Sequence, residues 1–206
     1  ELLKVLEIAA DDPDLLEEGE IWQLNYGLFI FAAARYQPAL KPLLKLLSNR
    51  DSLGFDIMGD FVTEEGALVL AQVADGNGEA IAEALVQPSL VWFCQDAMMT
   101  ALALMVRWEE WPRKSLAELA KEILIGRKLD LTDDPEAAWG HFTCLVAEQG
   151  LKEVGPEARR LLTEEIADPF VISLEEFDKL MHGDETPYRE TSRHSKFEDP
   201  AEPVSK

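Results

Sequence analysis

Three carboxylates spaced four residues apart, Asp56, Asp60 and Glu64, are the side chains of this sequence best placed by type and interval to do chemistry. On a continuous helix they would share one face, and converging carboxylate oxygens are what a divalent cation takes as ligands. Gly59 and Thr63 interrupt such a helix, and the same residues support a second account. In it Thr63 caps a helix that begins at Glu64, Glu64 and Glu65 suit the positive end of the helix dipole, and Asp60 closes the preceding turn. A cation or catalytic site needs these carboxylates to converge on a concave pocket; helix caps do not.

The remaining reactive side chains are sparse. His141 lies beside Gly140 in an apolar stretch, where a lone histidine reads as a hydrogen-bonded core residue; Cys144, three residues on, would give a metal only its second ligand, too few for zinc. His182 and His194 have no partner at a recognised spacing, neither Cys94 nor Cys144 belongs to a nucleophile arrangement, and no phosphate-binding glycine loop or serine elbow occurs. No catalytic residue, metal ligand set or cofactor site is therefore assigned. Trp108 and Trp111 bracket Glu109 and Glu110 at a helix junction, where they serve either as anchors for a partner or as packing that closes a turn.

The elements that must carry these residues are helical from end to end. From Glu20 to Gln37, Trp22, Tyr26, Phe29, Ile30, Ala33 and Tyr36 share one face while Ile21, Leu24, Leu28 and Phe31 fill the flanks, which predicts a helix covered on more than one side. After Pro38, the stripe Leu40, Leu43, Leu44 and Leu47 predicts a one-sided outer helix. The alternation returns from Leu90 to Trp108, apolar on both sides, with a one-faced partner opening at Pro112. It returns again around Trp139 to Val146, with a partner opening at Pro156. A shorter pair, Thr63 to Ala74 and Glu79 to Val86, is separated by the turn Asp75-Gly76-Asn77-Gly78. A buried helix followed by a one-faced helix, recurring about four times, predicts an all-α fold, a short α-solenoid of stacked helix pairs. Residues 1–181 form this domain and 182–206 a polar tail.

Composition narrows the function classes. The formal charge is -21, and a phosphate backbone needs clustered Lys and Arg, so nucleic-acid binding is not expected. Such acidity suits a basic partner, or it simply keeps the chain in solution. The densest run, Glu7 to Glu20, holds seven acidic residues and no basic one; it reads as a surface for a basic partner or as a solvated connector. Leu90 to Trp108, the longest apolar stretch, is broken by Gln95, Asp96 and Arg107, so no membrane span is expected. Leu2, Val5, Leu6 and Ala9 read as a helix already under way at the first residue, consistent with a native start upstream. Two cysteines in apolar helical stretches indicate no disulfide framework, and the expected compartment is cytoplasmic.

The stretch Phe55-Asp56-Ile57-Met58-Gly59-Asp60-Phe61-Val62-Thr63-Glu64-Glu65, with the aromatic helix Tyr26 to Tyr36 upstream and Asp75-Gly76 downstream, resembles the signature region of the bacterial domain-of-unknown-function family 1186. The resemblance covers roughly Trp22 to Ile166 and implies a fold related to the HEAT-like repeats of the phycobilisome-lyase type, with no assigned activity. Some members of that family carry a Cys-rich zinc-binding tail, which this sequence lacks, so no zinc site carries over.

The expected function is a non-enzymatic interaction module that binds another protein or a peptide, of a basic kind if the charge is used, on its helical surface. Asp56, Asp60, Glu64, Trp108 and Trp111 are the candidate binding residues. The alternative is an enzyme or a small-molecule or divalent-metal binder built on the acidic cluster around Asp60. The sequence leaves the oligomeric state open.

Overall fold

The computed structural model describes residues 1–48, 58–87, 90–126 and 134–183. Among them it contains eleven α-helices, two 3-10 turns and no strand. The helices are α1 (Leu2–Asp11), α2 (Glu18–Ala33), α3 (Leu40–Leu47), α4 (Phe61–Glu64), α5 (Gly66–Ala74), α6 (Gly78–Leu85), α7 (Trp92–Arg107), α8 (Arg113–Gly126), α9 (Pro135–Glu148), α10 (Gly155–Thr163) and α11 (Leu174–His182).

The two kinds of helix read from the sequence behave differently in the fold. α2 packs on α5, α5 on α7 and α7 on α9, giving a row in which each helix touches the next. In α5 every residue but Ala67 is buried, and in α7 ten residues from Cys94 to Met105 are buried, because both of their sides meet other helices. The one-faced helices lie against this row: α1 against α2 and α3, α6 and α8 against α7, α10 and α11 against α9. α3 buries Leu40, Leu43, Leu44 and Leu47 and turns Lys41 and Lys45 to solvent; α8 buries Leu116, Ala120 and Ile123 and exposes Lys114, Glu118 and Lys121. One continuous apolar core runs from Val5 in α1 to Phe177 in α11.

The helix ends repeat a single solution. After α2, α7, α9 and α10 the chain turns left-handed at Arg35 (φ 47°), Glu109 (φ 60°), Gly150 (φ 55°) and Glu165 (φ 56°). In each case the next residue's amide reaches back to a carbonyl five residues earlier: Tyr36 to Phe31, Glu110 to Met105, Leu151 to Val146 and Ile166 to Leu161, at 2.8–3.0 Å. These are Schellman stops, and they satisfy carbonyls that the helix end would otherwise leave open. Three of the four place a residue with a Cβ where glycine is at ease, at a cost of roughly 1–2 kcal/mol each. Glu165 is exposed, so nothing but that backbone cost is at stake there. Glu165→Gly is expected to stabilise the fold by about 0.5–1 kcal/mol, the relief exceeding the extra entropy glycine brings to the unfolded chain. Urea unfolding with an unchanged slope and a raised midpoint is the check; a lowered midpoint contradicts it.

The structure corrects the sequence reading in three places. The helix expected to begin at Glu64 behind a Thr63 cap is two helices, with Thr63 inside α4 and the break at Glu65. Residues 174–182, at the end of the expected helical domain and given no helix of their own there, form α11, opened by a capping box in which Ser173 and Glu176 bond each other's amides. Ser-x-x-Glu before the buried Phe177 is the sequence signal for that helix. The third correction, the exposure of one face of α2, bears on the site.

Candidate interaction surface

Of the acidic trio, Asp60 and Glu64 stand one turn apart with both side chains exposed, and the Glu64 amide donates to the Asp60 carbonyl at 2.9 Å. Thr63 Oγ1 donates to the same carbonyl at 3.0 Å, so its hydroxyl closes the turn instead of capping the next helix. Gly59 is left-handed at φ 51° and interrupts the helix there, as its residue type suggests. Asp56 lies outside the described residues. Among the described residues no group of three or more His, Cys, Asp or Glu side chains is arranged to hold a metal ion.

The two tryptophans take different positions. Trp111 is 4% exposed; its ring lies over Gly78 and its Nε1 donates to Glu79 Oε1 at 2.9 Å, which ties the start of α8 to the start of α6. The ring thus packs between the two helix starts. Trp108, directly after α7, is half-buried against the core.

α2 was expected to be covered on more than one side, and two helices do pack on it, but its aromatic face stays largely open. α1 and α5 pack on α2, and the buried residues are Leu24, Gly27, Leu28, Phe31 and Ala32. At Gly27 the approach is close enough that an added Cβ would touch Leu2 at 3.4 Å. Trp22, Tyr26 and Ile30 lie on the side left open, 61%, 66% and 55% exposed. The two rings keep roughly parallel planes with centroids 6.5 Å apart. Leu15, in the 3-10 turn before α2, is exposed too. Periodicity could not have told this face from the buried one, since both are apolar. Isolated apolar side chains on a surface need no explanation, but three large ones in line on one helix are what a protein interface uses.

In the chain the acidic stretch Glu7 to Glu20 precedes the stripe, and its last members, Glu17, Glu18 and Glu20, stand at the N-terminal end of α2. Some of it serves local structure: Asp11 pairs with Lys45 of α3, Asp12 accepts the Asp14 amide, and Glu17 and Glu20 form the capping box of α2. Glu7, Asp14 and Glu18 make no ion pair among the described residues, so their charge faces solvent.

A second polar feature bridges α7 and α9. His141 Nδ1 lies 3.0 Å from Asp96 Oδ1, and its ring stacks on Trp92 with centroids 5.0 Å apart. Burial works against the imidazolium, but the hydrogen bond and charge of Asp96, with Asp168 beyond, hold its pKa above the ordinary histidine value. One turn on, burial and the neighbouring Glu148 carboxylate push the Cys144 thiol up to about 12, so no thiolate nucleophile is available there. Burial raises Glu148 to about 7, with the Cys144 hydrogen bond working against the rise and Asp96 adding to it.

The linkage sign follows from the raised carboxyl. The folded state holds the Glu148 proton more tightly than the unfolded chain does, so its contribution is full below the ordinary glutamate range and is lost as pH rises through about 7. Glu148→Gln is therefore expected to be near neutral at about pH 5 and to stabilise the fold by roughly 1–2 kcal/mol at about pH 8, after allowance for remaining solvent contact. Denaturant unfolding at the two pH values decides it; equal effects at both would mean that Glu148 ionises normally.

No helix among the described residues is long and apolar enough to cross a membrane. The family model described as "Protein of unknown function (DUF1186)" matches residues 1–198. A protein of Chlamydia trachomatis serovar D, described as an uncharacterized protein, is 26% identical over 182 residues, covering 88% of this chain and 71% of its own length. One from Chlamydia muridarum with the same description is 26% identical over 182 residues, covering 88% and 72%. No solved structure matches the chain.

Proposed function

The chain belongs to the family described as protein of unknown function (DUF1186), and from that premise we propose that it is a non-enzymatic interaction module, a short solenoid of stacked HEAT-like helix pairs that binds another protein through its helical surface. The solenoid reading is supported by the row α2, α5, α7, α9 with one-faced helices laid against it, and by the recurring left-handed stops at helix ends. The observation that carries the interaction reading is the open stripe Trp22, Tyr26 and Ile30, since the other helices among the described residues bury their apolar faces with few exceptions such as Ile125. The carboxylate reading around Asp60 draws no comparable support, because Asp60 and Glu64 lie open to solvent.

The test is a paired capture. The chain and its Trp22→Ser/Tyr26→Ser variant are immobilised at equal density in extract of cells that make the protein, and any stoichiometric protein held by the first is purified and titrated against both. A partner bound by the parent chain and lost with the variant supports the reading. Equal retention on both, or no stoichiometric partner at mild salt, counts against it.

A further inference from the structure

The partner's chemistry follows from the shape and charge of the α2 face, a step that rests on the interaction reading above. Trp22, Tyr26 and Ile30 fall at i, i+4 and i+8, so they make a straight ridge about 12 Å long along one helix. Leu15, in the 3-10 turn before the helix start, is exposed as well. A single ridge of this spacing is complementary to a second helix, whose apolar side chains at i, i+3 or i+4 and i+7 fill the grooves beside it. A peptide that binds by adding a strand would instead need an open sheet edge, and no strand exists among the described residues.

The charge is set at the N-terminal end of the same ridge. Seven carboxylates and no base lie between Glu7 and Glu20, with Glu7, Asp14 and Glu18 left without an ion pair among the described residues. We propose that this face docks an amphipathic helix of a partner protein that carries Lys or Arg beside its apolar stripe, the apolar side chains seating on Trp22, Tyr26 and Ile30 and the basic ones facing the acidic approach to α2. A second copy of this chain fits poorly. Parallel pairing of two α2 faces sets acidic run against acidic run. Antiparallel pairing sets each run against the other copy's Arg35, which is already bonded to Asp75 and Glu110.

The experiment uses the full chain and three labelled probes: a Leu/Lys amphipathic helix of about 18 residues, a shuffled peptide of the same composition, and a Leu/Glu analogue. Fluorescence anisotropy is read for the parent chain and for Trp22→Ser/Tyr26→Ser, whose fold is checked by circular dichroism. The expected result is binding of the Leu/Lys helix alone, weakened about tenfold or more by the double substitution and again by raising salt from about 0.05 to 0.5 M. Equal binding of the shuffled peptide overturns the helical shape. Binding of the Leu/Glu analogue that still depends on Trp22 and Tyr26 overturns the basic chemistry while leaving the interaction reading in place. Binding indifferent to the double substitution overturns both. Sedimentation runs alongside, and a dimer of the parent chain that the double substitution dissolves assigns the face to a second copy and overturns the proposal.

Discussion

Gly78→Ala is expected to destabilise the fold by about 2–4 kcal/mol, a large share of the stability of a chain this size. A Cβ built at Gly78 falls 2.6 Å from three atoms of the Trp111 indole, closer than carbon atoms approach in a folded protein. The ring has no easy retreat, because it is 4% exposed and its Nε1 is held by Glu79 Oε1. Either the start of α6 moves away from the start of α8, or the indole leaves its place and gives up its hydrogen bond. The same site offers an internal control. Trp111→Phe alone loses packing and the bond to Glu79, but in the Gly78→Ala background a smaller ring relieves the clash, so the two costs should fall short of their sum by about 1 kcal/mol or more. Urea unfolding of the four proteins measures that coupling. Strict additivity, or a Gly78→Ala loss below about 0.5 kcal/mol, would show that the indole yields freely and that Trp111 is a mobile side chain with a role other than packing.

How far such contacts could be read in advance depends on what sets them. The helices were legible because their apolar spacing is regular: the Leu stripe of α3, the two-sided burial of α7 and the one-faced pattern of α8 follow from periodicity alone. The turn at Asp75 was legible because Asp-Gly-Asn-Gly suits a left-handed stop, and Asp75 has φ 48°. What periodicity lacks is the third dimension. α2 is apolar on two faces, and only the positions of α1 and α5 decide that Leu24, Leu28 and Phe31 go inside while Trp22, Tyr26 and Ile30 stay out. The contact of Trp111 with Gly78 joins residues more than thirty positions apart, and nothing local announces it. The acidic trio shows a related limit: spacing of four suggested a shared face, and Asp60 and Glu64 do stand one turn apart on a short helix, with Gly59 left-handed just before it and Asp56 outside the described residues. The Asp96 to His141 contact likewise depends on α7 lying beside α9, so His141 was legible as a hydrogen-bonded residue but its partner was not.

Arg35 is the second residue whose loss should be felt well beyond its own position, because it joins the C-terminal ends of three helices in the row. Its Nε donates to Asp75, just after α5, and its Nη1 donates to Glu110 Oε1 at 2.7 Å, just after α7, while its own backbone ends α2. Exposed ion pairs contribute little, but the Glu110 side chain is only 14% exposed, so removing the guanidinium takes a close cation from a largely desolvated carboxylate. Arg35→Ala is expected to cost about 2 kcal/mol, less than a fully buried pair because Arg35 itself keeps contact with water. Arg35→Lys should recover less than half of that, since one ammonium cannot present two separate donors to two carboxylates in the fork geometry. The decisive comparison is Arg35→Ala in a Glu110→Gln background, where the cost should fall to about 0.5 kcal/mol or below because the guanidinium no longer faces a carboxylate there. If Arg35→Ala costs the same with and without Glu110, the bridge is a surface pairing of little weight, and the alignment of α2, α5 and α7 rests on their apolar contacts and backbone stops alone.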